Sequence, residues 1–181
     1  MKKRIIKNIA ISGLTGSGKS TLAKKLAEKL GWKMMSTGSF IRKWHEENGV
    51  PLLSPDKIPE AVDKQIDYGY QDLMKKESNM IFESRLAGWL SKDFPETFKV
   101  LVKCKESVAA ERISGRDGVD GERAMKEGAL REGLLKDKFI RLYDAGDYLD
   151  EGNFDLVIDT AKVGADEAMQ LVLDKVNQTS G

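Results

Sequence analysis

Apolar, largely β-branched residues run from Ile5 to Ser12, the pattern of a strand buried on both faces of a parallel sheet, and the run stops at Gly13. From Gly18 to Leu30 the period changes. Leu22, Leu26 and Leu30 recur every four residues beside Ala23 and Ala27, while Lys24, Lys25, Glu28 and Lys29 take the opposite face. This spacing predicts an amphipathic helix closed by Gly31. Lys33–Ser36 reads as a second strand and Ser39–Asn48 as a helix, broken at Gly49-Val50-Pro51. Val62, Ile66, Tyr70 and Leu73 with Met74 mark another helix between Glu60 and Lys76, and Asn79–Glu83 a third strand. A strand at Phe98–Lys103, a helix at Ser107–Ser114, a helix at Leu134–Tyr143, a strand at Asp155–Asp159 and a closing helix at Ala165–Val176 complete the reading. Between Gly115 and Gly133, glycine and charge dominate, and the pattern predicts an exposed, mobile segment. Strand and helix alternate along the chain, which predicts an α/β fold with a five-stranded parallel sheet covered by helices on both faces.

With 181 residues the chain has the size of one domain at roughly 150 residues per domain. Thirty Lys and Arg against 29 Asp and Glu leave a net charge of +1, which argues against nucleic-acid binding by general electrostatic attraction. Any anion must therefore be held locally. No apolar run approaches the roughly 20 residues of a membrane span, and the apolar start is interrupted by Lys7 and Asn8 and leads into glycines, not into a signal cleavage site. The expectation is a cytoplasmic, monomeric protein that partners neither membrane nor nucleic acid. One cysteine, Cys104, leaves no disulfide framework.

The chemistry is concentrated in Gly13-Leu14-Thr15-Gly16-Ser17-Gly18-Lys19-Ser20, followed by Thr21, between the first strand and the first helix. Glycine, four residues, then Gly-Lys-Ser is the pattern of a phosphate loop. Glycines at 13, 16 and 18 let backbone N–H groups converge on a phosphate, and the helix N-terminus adds its positive end. Lys19 can reach the β- and γ-phosphates of ATP, and the Ser20 hydroxyl can hold Mg²⁺. A guanine-reading Asn-Lys-x-Asp motif is absent, which argues against a guanine-selective switch. Arg42 and Arg85 fall just beyond the second and third strands, at the sheet edge where ligands bind, and two forked guanidinium groups there suit a second phosphate. Four of the eight arginines, Arg112, Arg116, Arg123 and Arg131, lie in or beside the glycine-rich stretch and could cover a phosphoryl group in transfer.

The phosphate loop, Ser36-Thr37-Gly38 with Arg42, Glu83-Ser84-Arg85-Leu86-Ala87-Gly88-Trp89, and Phe154-Asp155-Leu156-Val157-Ile158-Asp159-Thr160 together resemble the archaeal-type cytidylate kinases, within the phosphate-loop nucleoside monophosphate kinases. The resemblance spans nearly the whole chain, and the Arg-Leu-Ala-Gly-Trp string is its most specific part. It implies transfer of the ATP γ-phosphoryl group to CMP or dCMP with Mg²⁺. It further implies a core of residues 1–36, 78–114 and 134–177, an acceptor-binding helical insertion at 37–77 and a short lid at 115–133. Carried over by position, Arg42 and Arg85 grip the acceptor phosphate, Ser36 and Gly38 face the acceptor, and Glu83 holds Mg²⁺ through water with Ser20. Lys19, Arg112, Arg116 and Arg131 act on the transferring group, and Asp63, or Asp67 one turn on, accepts from a base amine.

The sequence departs from that family at Ser84, where glycine is usual, and at Lys138-Phe139, where arginine and tyrosine are usual. A kinase of the same build for another monophosphate or a small metabolite, and an ATP-dependent binding or switch module that does not transfer, remain as alternatives. His45, with Glu46 and Glu47 beside it and without a neighbouring cysteine or a second histidine to share a metal, reads as a surface residue.

Overall fold

The computed structural model describes residues 4–118 and 120–180. Its centre is a five-stranded, all-parallel sheet of β1 (Asn8–Ser12), β2 (Lys33–Ser36), β3 (Met80–Glu83), β4 (Thr97–Lys103) and β5 (Leu156–Asp159), in the order β2-β3-β1-β4-β5. The helices between them are α1 (Lys19–Leu30), α2 (Thr37–Glu47), α3 (Glu60–Lys76), α4 (Ala87–Leu90), α5 (Glu106–Asp117), α6 (Gly121–Tyr143) and α7 (Ala165–Ser180).

Side-chain alternation along the strands divides the interior in two. Ile81 of β3 joins Ile9, Ile11, Val100 and Val102 under α1 and α7, where Leu22, Leu26, Ala168 and Val172 close the layer. Its neighbours Met80 and Phe82 face the other way, against Tyr70 and Met74 of α3 and Leu135 and Phe139 of α6. Every β1 residue is buried, so the first strand is central as its apolar pattern required, although it begins at Asn8 and not at Ile5. Asn8 is tolerated there because its side chain donates to the Glu77 carbonyl at 3.0 Å and accepts from the Met80 amide at 3.1 Å.

The largest departure from the expected elements lies between residues 115 and 133. The described residues of this stretch are mostly helical and do not form one long loop: α5 runs to Asp117, a left-handed Gly118 ends it, and α6 begins at Gly121. Glycines at 121, 128 and 133 each cost a helix about 1 kcal/mol. Local and tertiary bonds outweigh them. The Asp120 carboxylate caps α6 by accepting from the amides of Glu122 and Arg123, and Glu122–Lys126 and Arg123–Glu127 pair one turn apart. Ion pairs from Glu132, Lys138 and Arg141 then tie the helix to the rest of the fold.

β3 and β4 flank β1, so the chain crosses from one side of β1 to the other between them, and the crevice at the carboxyl ends of these strands is where a parallel sheet takes its ligands. Helices α2 and α3 close one end of that crevice, α5 and α7 the other.

Candidate active site

The phosphate loop begins where β1 ends. A side chain at Gly13, whose φ is +155°, would meet the Val102 carbonyl at 2.3 Å, and one at Gly16, with φ +78°, would meet the Ala109 backbone at 2.7 Å. Only glycine lets the loop pack this closely against β4 and α5. Gly18 is left-handed and leads into α1, whose N-terminus points into the crevice.

One continuous cleft of about 900 Å³ runs across this loop. Gly16, Gly18, Lys19, Ser20 and Thr21 line its middle, with Thr15 at the turn. Lys19 Nζ lies 3.2 Å from the Leu14 carbonyl and 3.7 Å from Glu83 Oε1. Burial, reinforced by the charge of Arg85, pushes its pKa down to about 8 despite Glu83. A nucleotide phosphate would restore that charge. Ser17 is buried, and its hydroxyl has no hydrogen-bond partner among the described residues.

Arginines from three elements converge on the same point. Arg42 from α2, Arg85 from the turn after β3 and Arg131 from α6 all line the cleft, as does Arg116 of α5. Arg131 Nε is buried without a hydrogen-bond partner, and burial, with repulsion from Arg85, lowers its pKa to about 10. A buried guanidinium N–H left unpaired among other cations is a site for an anion. Gly38 also lines the cleft, beside the Arg42 guanidinium.

Arg85 is held by a residue that the sequence pattern did not reveal. Glu132 accepts from Arg85 Nε at 2.9 Å and from Nη2, and from the Thr15 hydroxyl at 3.0 Å and amide at 3.4 Å. Arg85 Nη2 also donates to the Thr15 hydroxyl. Burial alone would raise the Glu132 carboxyl, but the hydrogen bonds and charge of Arg85, with those of Thr15, hold it below the usual range. The carboxylate thus bridges the phosphate loop and the acceptor-side arginine. Only its position next to Arg131 could have drawn notice to it.

Other expected residues sit differently. Arg112 is not a swinging cover, because its guanidinium donates to the carbonyls of Gly16 (3.2 Å) and Thr160 (2.9 Å) and to the Thr160 hydroxyl (2.9 Å). That hydroxyl donates in turn to the Ser17 carbonyl at 2.7 Å, so Arg112 and Thr160 brace the phosphate loop from the donor end. Ser36 does not line the cleft: its hydroxyl donates to Glu83 and accepts from the Ser39 amide, capping α2. Glu83 is 2% exposed and lies between Ser36 and Lys19. Ser84, where glycine is usual, is buried at the cleft wall with its hydroxyl unpartnered among the described residues.

Lys138 is buried and does not line the cleft; it pairs with Asp63 and donates to the carbonyls of Pro55 (2.7 Å) and Ile58 (3.0 Å). It anchors the turn before α3, so the missing arginine is replaced by an anchor and not by a weaker phosphate ligand. Asp63 reaches the cleft wall with the Lys138 cation beside it, and burial raises its pKa in spite of Lys138. His45 is 3% exposed, not on the surface, with Nδ1 3.1 Å from the Val50 carbonyl. The ring must donate there, and burial lowers its pKa.

A phosphate loop at the switch point of a parallel sheet, faced across one cleft by cations from separate elements, defines a phosphate-loop phosphotransferase. The family described as AAA domain matches residues 9–132. Cytidylate kinase of Ignicoccus hospitalis is 36% identical over 167 residues, covering 91% of this chain and 95% of that protein. Cytidylate kinase of Pyrococcus furiosus is 35% identical over 167 residues, covering 91% of this chain and 85% of that one. Among solved structures, shikimate kinase from Acinetobacter baumannii superposes with a TM-score of 0.61 at 16% identity, covering 96% of this chain and 94% of that one. An uncharacterized protein from Eubacterium ventriosum gives 0.71 at 22% identity, with 94% and 98% covered. The chain belongs to the cytidylate kinase family, and it is an ATP-dependent phosphotransferase. Among the described residues no helix is long and apolar enough to cross a membrane.

Proposed function

We propose that the protein transfers the γ-phosphoryl group of ATP to CMP or dCMP, yielding ADP and CDP or dCDP. The observation that carries this reading is the single cleft, divided by Lys19, Arg85 and Arg131 into a donor end under α5 and α7 and an acceptor end under α2 and α3. ATP lies along Gly13 to Thr21, its base toward Arg112 and Thr160. The acceptor phosphate meets Arg42 and Arg85, with residues 37–77 as the acceptor-binding insertion. Residues 115–133, as a helical hairpin, carry Arg116 and Arg131 over the transferring group.

An oxygen of the acceptor phosphate attacks the γ-phosphorus, and the bond to the ADP oxygen breaks. That oxygen is already ionised, so no general base is needed; alignment and charge neutralisation are the catalytic task. Ser20 and Glu83 both line the cleft beside Lys19, a sparse oxygen set that fits Mg²⁺ held mainly by nucleotide oxygens and water. The Ser20 hydroxyl would ligate it, with Glu83 acting through water. Such an ion neutralises phosphate charge as the bond shifts. The relatives' name supports the cytidine acceptor.

The test is initial ADP release from Mg-ATP with CMP, dCMP, UMP, AMP, GMP or shikimate, each against an acceptor-free control. The expected result is acceleration by CMP or dCMP above the others. ADP release that no acceptor changes would assign the protein to the non-transferring ATP-binding modules.

A further inference from the structure

At the acceptor end, the wall of the cleft is mostly apolar: Ile41, Leu52, Ile66, Leu135 and Phe139 face it. Two carboxylates interrupt that wall, Asp63 and Asp67, one turn apart on α3. They are not equivalent. The Lys138 ammonium donates to the carbonyls of Pro55 and Ile58, holding the backbone before α3, and pairs with Asp63, so Asp63 already has a cation beside it.

Asp67 is 6% exposed, and its one hydrogen-bond donor among the described residues is the Tyr143 hydroxyl, 2.6 Å from Oδ2. A phenol has one proton to give, and a carboxylate accepts at both oxygens. Tyr143 therefore fixes the carboxylate's rotation while leaving acceptor capacity toward the cleft. Burial pushes Asp67 up to about 6, so at neutral pH it is an acceptor and not a donor. A buried anion with one neutral hydrogen bond on the wall of the cleft calls for a donor from a ligand.

We propose that Asp67, oriented by Tyr143, is the specificity-determining residue for the acceptor base, accepting a hydrogen bond from the exocyclic amine of an aminopyrimidine and rejecting a pyrimidine with a carbonyl there. This rests on the nucleoside monophosphate kinase reading and transfers to Asp67 the role that the sequence gave first to Asp63. Cytosine presents an amine donor at the position where uracil presents a carbonyl acceptor, so a carboxylate attracts the first and repels the second.

The test compares kcat/KM for CMP and UMP in the wild type, Asp67→Asn and Tyr143→Phe, with ATP affinity and thermal unfolding as checks on the fold. In Asp67→Asn the Tyr143 hydroxyl donates to the amide oxygen, which turns the amide NH₂ toward the cleft. That donor faces the cytosine amine unfavourably and the uracil carbonyl favourably. The CMP-to-UMP ratio is expected to fall at least tenfold, carried by a loss for CMP with UMP unchanged or improved. Tyr143→Phe releases the carboxylate's orientation and is expected to reduce the ratio severalfold with ATP affinity unchanged. Equal losses for CMP and UMP in Asp67→Asn, or an unchanged ratio in both variants, would overturn the assignment while leaving the kinase reading intact. A wild type that phosphorylates neither nucleotide would overturn the kinase reading itself, and the assignment with it.

Discussion

Arg85 and Glu132 meet side-on, the guanidinium Nε lying 2.9 Å from Glu132 Oε2 while Oε1 takes the amide and hydroxyl of Thr15. An acidic side chain therefore occupies donors of the kind a phosphate would use, at the junction of the two halves of the cleft. Removing its charge leaves Arg85 a partly buried cation without its counter-ion, beside the equally cationic Arg131. Glu132→Gln is expected to destabilise the free protein by about 1–3 kcal/mol, the cost of breaking a largely buried pair. A bound acceptor phosphate supplies the missing charge. The rise in unfolding temperature on adding saturating CMP should be larger in the variant than in the wild type. Equal shifts would show that Glu132 and the phosphate do not share these donors.

Arg85→Ala removes a guanidinium from the acceptor side while leaving the loop amides and Lys19 in place. Acceptor kcat/KM should fall at least tenfold, about 1.4 kcal/mol, with ATP affinity within a factor of about two of the wild type. Steady-state kinetics with each substrate varied in turn separates the two; a loss confined to ATP would contradict the placement of Arg85.

Lys19 titrates unusually low, at about 8, because burial and Arg85 disfavour its charge. In the free protein the ammonium is lost as pH rises through that value, and bound phosphates favour its return. ATP binding should therefore take up a proton increasingly between pH 7.5 and 9, and apparent affinity should weaken above pH 8 by up to about tenfold per pH unit. Calorimetry in buffers of different ionisation enthalpy measures the uptake, which should vanish in Lys19→Met.

Lys138 is 2% exposed and pairs with Asp63. Lys138→Met strands a carboxylate and two carbonyls, an expected loss of about 3–5 kcal/mol in chemical denaturation. Replacing both partners, Lys138→Met with Asp63→Leu, should recover most of it. A double variant no more stable than the single one would contradict the pairing.

The sheet was legible because β1, β3 and β4 are apolar runs that permit little else, and the phosphate loop because its glycines and lysine are adjacent in sequence. Arg42 and Arg85 were legible from their positions just after strands. The helical state of residues 121–133 was hidden, since glycines argued locally for a loop and the bonds that overrule them come from distant residues. Glu132 and Tyr143 were hidden for the same reason: Glu132 meets Arg85 across 47 positions, and Tyr143 meets Asp67 across 76. Nothing in the periodicity of either segment encodes such a meeting. Lys138 stood out in the sequence only as a departure from the family's arginine, because its charge was visible and its carbonyl partners were not.

The most direct measurement follows the phosphoryl group itself. Protein incubated with Mg-ATP labelled at the γ-phosphate and with CMP should yield labelled CDP in amounts equal to the ADP formed, with almost no free phosphate. Label released as inorganic phosphate, with CMP recovered unchanged, would contradict the account.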